Sequence, residues 1–194
     1  MEKQQLWLLA GGNGAGKSTF YRMYLEPKGM PFVNADLLAR QLFPDESEAR
    51  SYEAAMIAGE IRAQLLQEGR TFCFETVFSH PSKIDFIAQA KVMGYEIILV
   101  FIHLGNIALN HARIAQRVIE GGHHVPAEKV NSRIPRTLTH IQQALSLCDY
   151  VYILDNSRAD DPFQQIAVLR HGQLEIAKQP LAEWSKVMLT DYLK

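Results

Sequence analysis

The sequence is poor in cysteine: its 194 residues hold two, Cys73 and Cys148. Neither belongs to a CxxC pair or to a cysteine–histidine group at zinc-ligand spacing, so a disulfide framework and a zinc finger are both excluded. Each lies in or beside an apolar run, where a free, buried thiol is expected. A reducing, cytoplasmic setting follows. Long hydrophobic runs are also lacking. The longest, Ile97 to Ile102, is far too short to span a bilayer. The start, MEKQQLWLLAGG, breaks off at two glycines and does not read as a signal peptide. Nor is there an excess of either charge, with 20 lysines and arginines against 21 acids and a net charge of -1. A membrane-surface binder or nucleic-acid coat needs surplus positive charge, so partners are expected to be small or met by a local patch. His123 and His124 are adjacent with no third ligand at helical spacing, which argues against a metal there.

What is present is an ordinary globular balance, 47% hydrophobic and 21% charged, at the size of a single domain covering 1–194. Short apolar runs at Leu6–Ala10, Pro31–Asn34, Thr71–Glu75, Glu96–Leu104 and Asp149–Asp155 alternate with helical patterns. Ala54, Ile57, Ala58, Ile61 and Leu65 mark one buried helix face, and residues 82–93, 106–120 and 126–147 read similarly. Pro135 is expected to kink or split the last of these. This alternation predicts an α/β fold of about five mainly parallel strands with helices on both faces. Residues 160–194 read as an appendage. Ile166–Arg170 and Leu174–Lys178 form a hairpin around His171-Gly172-Gln173, and Leu181–Leu193 a closing helix.

The first apolar run leads into Gly11-Gly12-Asn13-Gly14-Ala15-Gly16-Lys17-Ser18, matching G-x-x-x-x-G-K-[ST] at every fixed position. A chance match in this composition has odds of roughly 0.3%. Glycines let the backbone wrap a phosphate chain with its N–H groups inward, and the helix that follows turns its positive end to the same anion. Lys17 is suited to the β- and γ-phosphates of ATP, and the Ser18 hydroxyl to Mg2+; Thr19 continues the phosphate-binding set. No guanine motif N/T-K-x-D and no LSGGQ segment occurs, which favours a compact kinase with a P-loop, three-layer fold.

Two further regions suit phosphoryl transfer. Asp36 closes the second predicted strand at the ligand-binding edge of the sheet. It is a base for an acceptor hydroxyl or, equally, a cap for the helix beginning Leu37-Leu38. Glu75, ending the third strand, is placed to act on the metal, and Glu75 to His80 to line an acceptor pocket. Segment 106–140 holds Arg113, Arg117, Lys129, Arg133 and Arg136 against Glu120 and Glu128. Two arginine-bearing helices joined at Gly121-Gly122 read as a lid over the transferring phosphates. The loop Asp155-Asn156-Ser157 falls where an adenine base would lie.

In order, GGNGAGKSTF, VNADLLAR, FETVFSH, RIAQRVIEGGHHVPAEKVNSRIPRTL and YVYILDNS resemble the zeta-toxin family of P-loop kinases over roughly residues 5–157. The resemblance is to its short, stand-alone bacterial members. It implies ATP and Mg2+ as cofactors and UDP-N-acetylglucosamine as acceptor, phosphorylated on the 3′-hydroxyl of the sugar. It further implies Asp36 as the acceptor-activating base, Glu75 and Thr76 in the acceptor pocket, and Arg117 and Arg133 on the transferring phosphates. Arg113 and Arg136 then stand with the nucleotide-binding residues, and an antitoxin protein is an implied partner. The alternatives are a kinase of nucleotides or polynucleotide ends, and an ATP-binding switch without catalysis.

Overall fold

The structure is a computed structural model, and it describes residues 3–122 and 124–193; His123 lies outside the described residues. Five strands follow the apolar runs: β1 (Gln5–Ala10), β2 (Phe32–Val33), β3 (Phe72–Thr76), β4 (Glu96–His103) and β5 (Tyr150–Asp155). The sheet order is β2-β3-β1-β4-β5-β6-β7, with β6 (Gln164–Arg170) and β7 (Gln173–Ala177) completing it. The first five strands are parallel, as the strand–helix alternation requires.

The sheet has seven strands, two more than the sequence pattern predicts. The C-terminal hairpin continues the sheet, with β6 pairing antiparallel to β5. The reason is a buried apolar run: Ile166, Ala167, Val168 and Leu169 cover the edge that β5 would otherwise leave unpaired. His171 and Gly172 both have positive φ, at 47° and 75°, which matches the right-handed twist of a two-residue hairpin.

Side-chain alternation divides the strands between two cores. Leu6, Leu8, Phe72, Phe74, Leu99, Phe101 and Ile153 face one side, under α3 (Ser51–Gln67), α4 (Ser82–Val92) and α6 (Ala127–Ala144). Leu9, Cys73, Ile98, Val100 and Leu154 face the other, against the segment after β1. A sheet covered on both faces needs strands that are apolar on both faces, and these are. Cys73 and Cys148 are buried and free; burial pushes the Cys148 thiol up to about 12. Among the described residues no helix is long and apolar enough to cross a membrane.

The remaining helices are α1 (Lys17–Phe20), α2 (Ala35–Leu42), α5 (Ile107–Ile119) and α7 (Glu183–Met188). Helix α6 runs through Pro135 as one helix, so of the expected kink or split the split does not occur. The Arg136 Nε donates to the Ser132 carbonyl, 2.9 Å away, beside the step where proline supplies no N–H. Thr137 and His140 tie the helix to the carbonyls of Val77 and Phe78. The predicted closing helix is shorter than Leu181–Leu193, with α7 followed by a 3-10 turn at Thr190–Tyr192.

Candidate active site

The chain passes from β1 to β2 and β3 on one side, then to β4 on the other, so the crevice opens at the carboxyl end of β1. The glycine-rich loop fills it. Gly11, Gly14 and Gly16 have φ of 149°, 78° and 102°, conformations that other residues rarely adopt. A side chain at Gly11 would run into the Ile102 carbonyl of β4, and one at Gly16 into the Asn156 amide. The loop is therefore held from behind as well as bent. Lys17, 5% exposed, reaches back to donate to the Gly12 carbonyl at 3.0 Å.

Glu75 sits at the centre. β3 lies beside β1, and its register sets Glu75 opposite Leu9, at the mouth of the loop. Its carboxylate accepts from the Ser18 hydroxyl at 2.6 Å and from the Asn34 amide at 2.8 Å, and lies 3.6 Å from Lys17 Nζ. Asn34 in turn caps α2, its Oδ1 accepting from the Leu37 N–H. The cap is thus Asn34, and the helix starts two residues earlier than expected. Asp36 stands in the first turn with its carboxylate exposed on the cleft. An asparagine followed by an acidic residue two positions on is a readable helix start, and it locates this cap from sequence. Thr76 lines the cleft too, its hydroxyl accepting from the Phe78 N–H.

Helices α5 and α6 stand over the loop and share a small core of Ile114, Val125 and Val130, with Ile134 against it. Arg113, Arg117 and Arg133 line the cleft. Arg113 donates to the Asn156 carbonyl at 2.7 Å, and Arg133 lies 3.5 Å from the Asn13 side chain. Arg136 is not brought to the cleft; it is exposed and bonded within its own helix to Ser132. Asp155 and Ser157 bond to each other, whereas Asn156 turns inward and donates to the Ala15 carbonyl at 2.9 Å. Asn110 supports the loop from the other flank, donating to the Asn13 carbonyl at 2.7 Å.

The cleft encloses about 1130 Å³. Nine lysines and arginines against four carboxylates line it, in a chain that is almost neutral overall. Arg22, Arg62 and Lys83 contribute to that excess and carry no sequence motif. Asn110 is likewise found only by folding: it lies 97 positions from its partner.

The parallel sheet and the glycine-rich loop ending in Lys17 and Ser18 define a protein of the P-loop fold. A sequence model described as an AAA domain matches residues 6–136, more than half of the chain, and the chain belongs to that family. An uncharacterized protein of Haemophilus influenzae is 27% identical over 140 residues, covering 69% of this chain and 99% of the relative. The crystal structure of AvrRxo1-ORF1:-ORF2 with ATP shares the fold, with a TM-score of 0.70 and 17% identity over 97% of this chain. The chain spans 63% of that longer chain. A structure of the PezAT chromosomal toxin-antitoxin system of Streptococcus pneumoniae matches with a TM-score of 0.66. Its identity is 14%, covering 98% of this chain and 85% of that one.

Proposed function

We propose that the protein is an ATP-dependent phosphotransferase with an alcohol group as acceptor. One observation carries the reading. Glu75 bonds Ser18 and approaches Lys17 on the phosphate side, and bonds Asn34, the cap of the helix bearing Asp36, on the other. Phosphate-binding groups and a free, exposed carboxylate are thereby fixed in one hydrogen-bonded unit. A nucleotide switch has no need of such a carboxylate.

The acceptor hydroxyl gives its proton to Asp36 as its oxygen bonds the γ-phosphorus, while the bond to the β–γ bridging oxygen breaks and ADP leaves. Asp36 then releases the proton to solvent, to which it is open. Lys17 and the cleft-lining Arg113, Arg117 and Arg133 stabilise charge on the transferring oxygens. The Ser18 hydroxyl and Glu75 carboxylate fit Mg2+, which takes few protein oxygens and completes its shell with water and nucleotide phosphates. When bound, Mg2+ neutralises charge developing between the β- and γ-phosphates.

For the acceptor we propose UDP-N-acetylglucosamine, on the zeta-toxin resemblance, and for regulation an antitoxin partner in the cytoplasm. The shared fold with the PezAT toxin-antitoxin structure supports the antitoxin partner. Incubation with ATP, Mg2+ and a panel of hydroxyl compounds including this sugar nucleotide, followed by phosphorus NMR, tests the reading. A new phosphomonoester is expected. Asp36→Asn should slow transfer by about 10²–10⁴ while ATP still binds, and Lys17→Ala should abolish it. Undiminished transfer by Asp36→Asn, or no transfer to any compound, overturns the proposal.

A further inference from the structure

Among the described residues, two cations on one side of the cleft pair with no carboxylate. Arg62, on α3, and Lys83, in the first turn of α4, both line it and both are half-buried. The Arg62 guanidinium lies over the ring of Phe74, 5.0 Å from its centroid, and 5.9 Å from that of Phe86. Two aromatic faces therefore hold it in place. Among the described residues no carboxylate pairs with Arg62, and Lys83 has only the Ser82 hydroxyl at 3.5 Å. Some cations outside the cleft do meet acids: Arg50 meets Glu53, Lys91 meets Asp149, and Lys186 meets Glu183. Burial lowers the proton affinity of both side chains, and the Arg62 charge lowers that of Lys83 further.

Holding two like charges together, partly out of water and without an anion, is unfavourable. Position gives the arrangement a use. Helices α3 and α4 cover one face of the sheet, whereas Phe163, beside Asn156, packs on the other. Lys83 follows directly on the loop that leaves Glu75 and Thr76. The pair thus lies on the Asp36 and Glu75 side of the cleft, where the acceptor would enter. A phosphoryl group carries about −1.5 to −2 charges at neutral pH, enough to answer both cations; a carboxylate carries only one. A guanidinium offers a fork to two of its oxygens and an ammonium a point charge to the third.

We propose that Arg62 and Lys83 form an anion subsite that selects an acceptor already bearing a phosphoryl or diphosphoryl group. The inference rests on the kinase reading for its use of the word acceptor, but the subsite itself can be tested without turnover. With the phosphate loop saturated by Mg2+ and a non-hydrolysable ATP analogue, inorganic pyrophosphate should bind at one further site, seen by calorimetry. Arg62→Met and Lys83→Met should each weaken it about ten- to hundredfold, and Arg62→Lys should restore part of the loss. Methionine keeps the apolar stem over Phe74, and unchanged analogue affinity certifies that each variant is folded.

In turnover, UDP-N-acetylglucosamine and ribose 5-phosphate are compared with N-acetylglucosamine and ribose. Transfer confined to the phosphorylated members, with KM raised about tenfold or more by either methionine variant, supports the subsite. Pyrophosphate binding that is lost in the variants, together with no transfer to any acceptor, keeps the subsite and sinks the kinase reading. Absence of the further pyrophosphate site, binding indifferent to both substitutions, or equal transfer to the neutral members overturns the subsite.

Discussion

Asn156 couples two things that ATP binding needs at once, and its removal gives a measurable consequence. Its Nδ2 donates to the Ala15 carbonyl at 2.9 Å, and its Oδ1 accepts from the Phe163 N–H at 3.2 Å. The residue is 7% exposed. Asn156→Ala leaves a carbonyl of the phosphate loop and an amide of the adjoining segment without partners, at about 1–3 kcal/mol each. Water entering the small space regains part of this, so a loss of about 2–4 kcal/mol is expected. For a chain of this size that corresponds to a Tm lower by about 5–15 °C. Because the loop backbone is what wraps phosphate, ATP affinity should fall with it. Asn110→Ala is the internal control. It removes one bond, to the Asn13 carbonyl, and its Oδ1 is already without a partner. About half the effect is therefore expected. Thermal unfolding by circular dichroism and ATP titration by calorimetry give both numbers. A Tm change under about 2 °C for Asn156→Ala, or one no larger than for Asn110→Ala, would refute the reasoning.

Two other perturbations follow from the fold. Burial between Phe101 and Trp184 lowers the His103 pKa to about 4, against a smaller opposing pull from Asp155. The unfolded chain takes up that proton near pH 6.5 and the folded one does not, so stability falls as pH drops from about 6.5 to about 4, by about 3 kcal/mol in total. Denaturant midpoints across this range should show the slope in the wild type, and His103→Phe should lack it. Gly11→Ala places a methyl against the Ile102 backbone at a φ of 149°. A loss of more than about 4 kcal/mol is expected, read as absent or strongly lowered cooperative melting, and a wild-type Tm would contradict it.

Much of the fold is legible because the relevant physics is local. The parallel strands, the glycine loop and the helical faces each follow from periodicity or from a fixed spacing, and each lies close to its expected bounds. The misses have identifiable causes. The two extra strands belong to a hairpin that is visible in the sequence. Its pairing with β5 is decided by an exposed edge that only the assembled sheet possesses. Pro135 does not split α6, one of the two outcomes expected of it: packing against the β3 loop holds the helix and Arg136 bonds beside the disturbed turn. That same bond keeps Arg136 away from the cleft, although its spacing from Arg133 suggested a shared role.

By itself, the sequence determined which chemistry is available. Glycines, Lys17 and Ser18 at fixed spacing make a phosphate loop whatever surrounds them, since short-range backbone geometry decides it. Tertiary structure alone decided which distant residues complete the site. Glu75 is expected near the metal from its place at the end of the third strand, but its bond to Asn34, which ties it to the start of α2, is set by the assembled sheet. Asn110 and Asn156 reach the loop from positions far along the chain. Arg62 and Lys83 are ordinary surface residues in sequence. Only the fold sets them in one cleft with no carboxylate paired to either among the described residues, because charge balance is summed over neighbours in space and not along the chain.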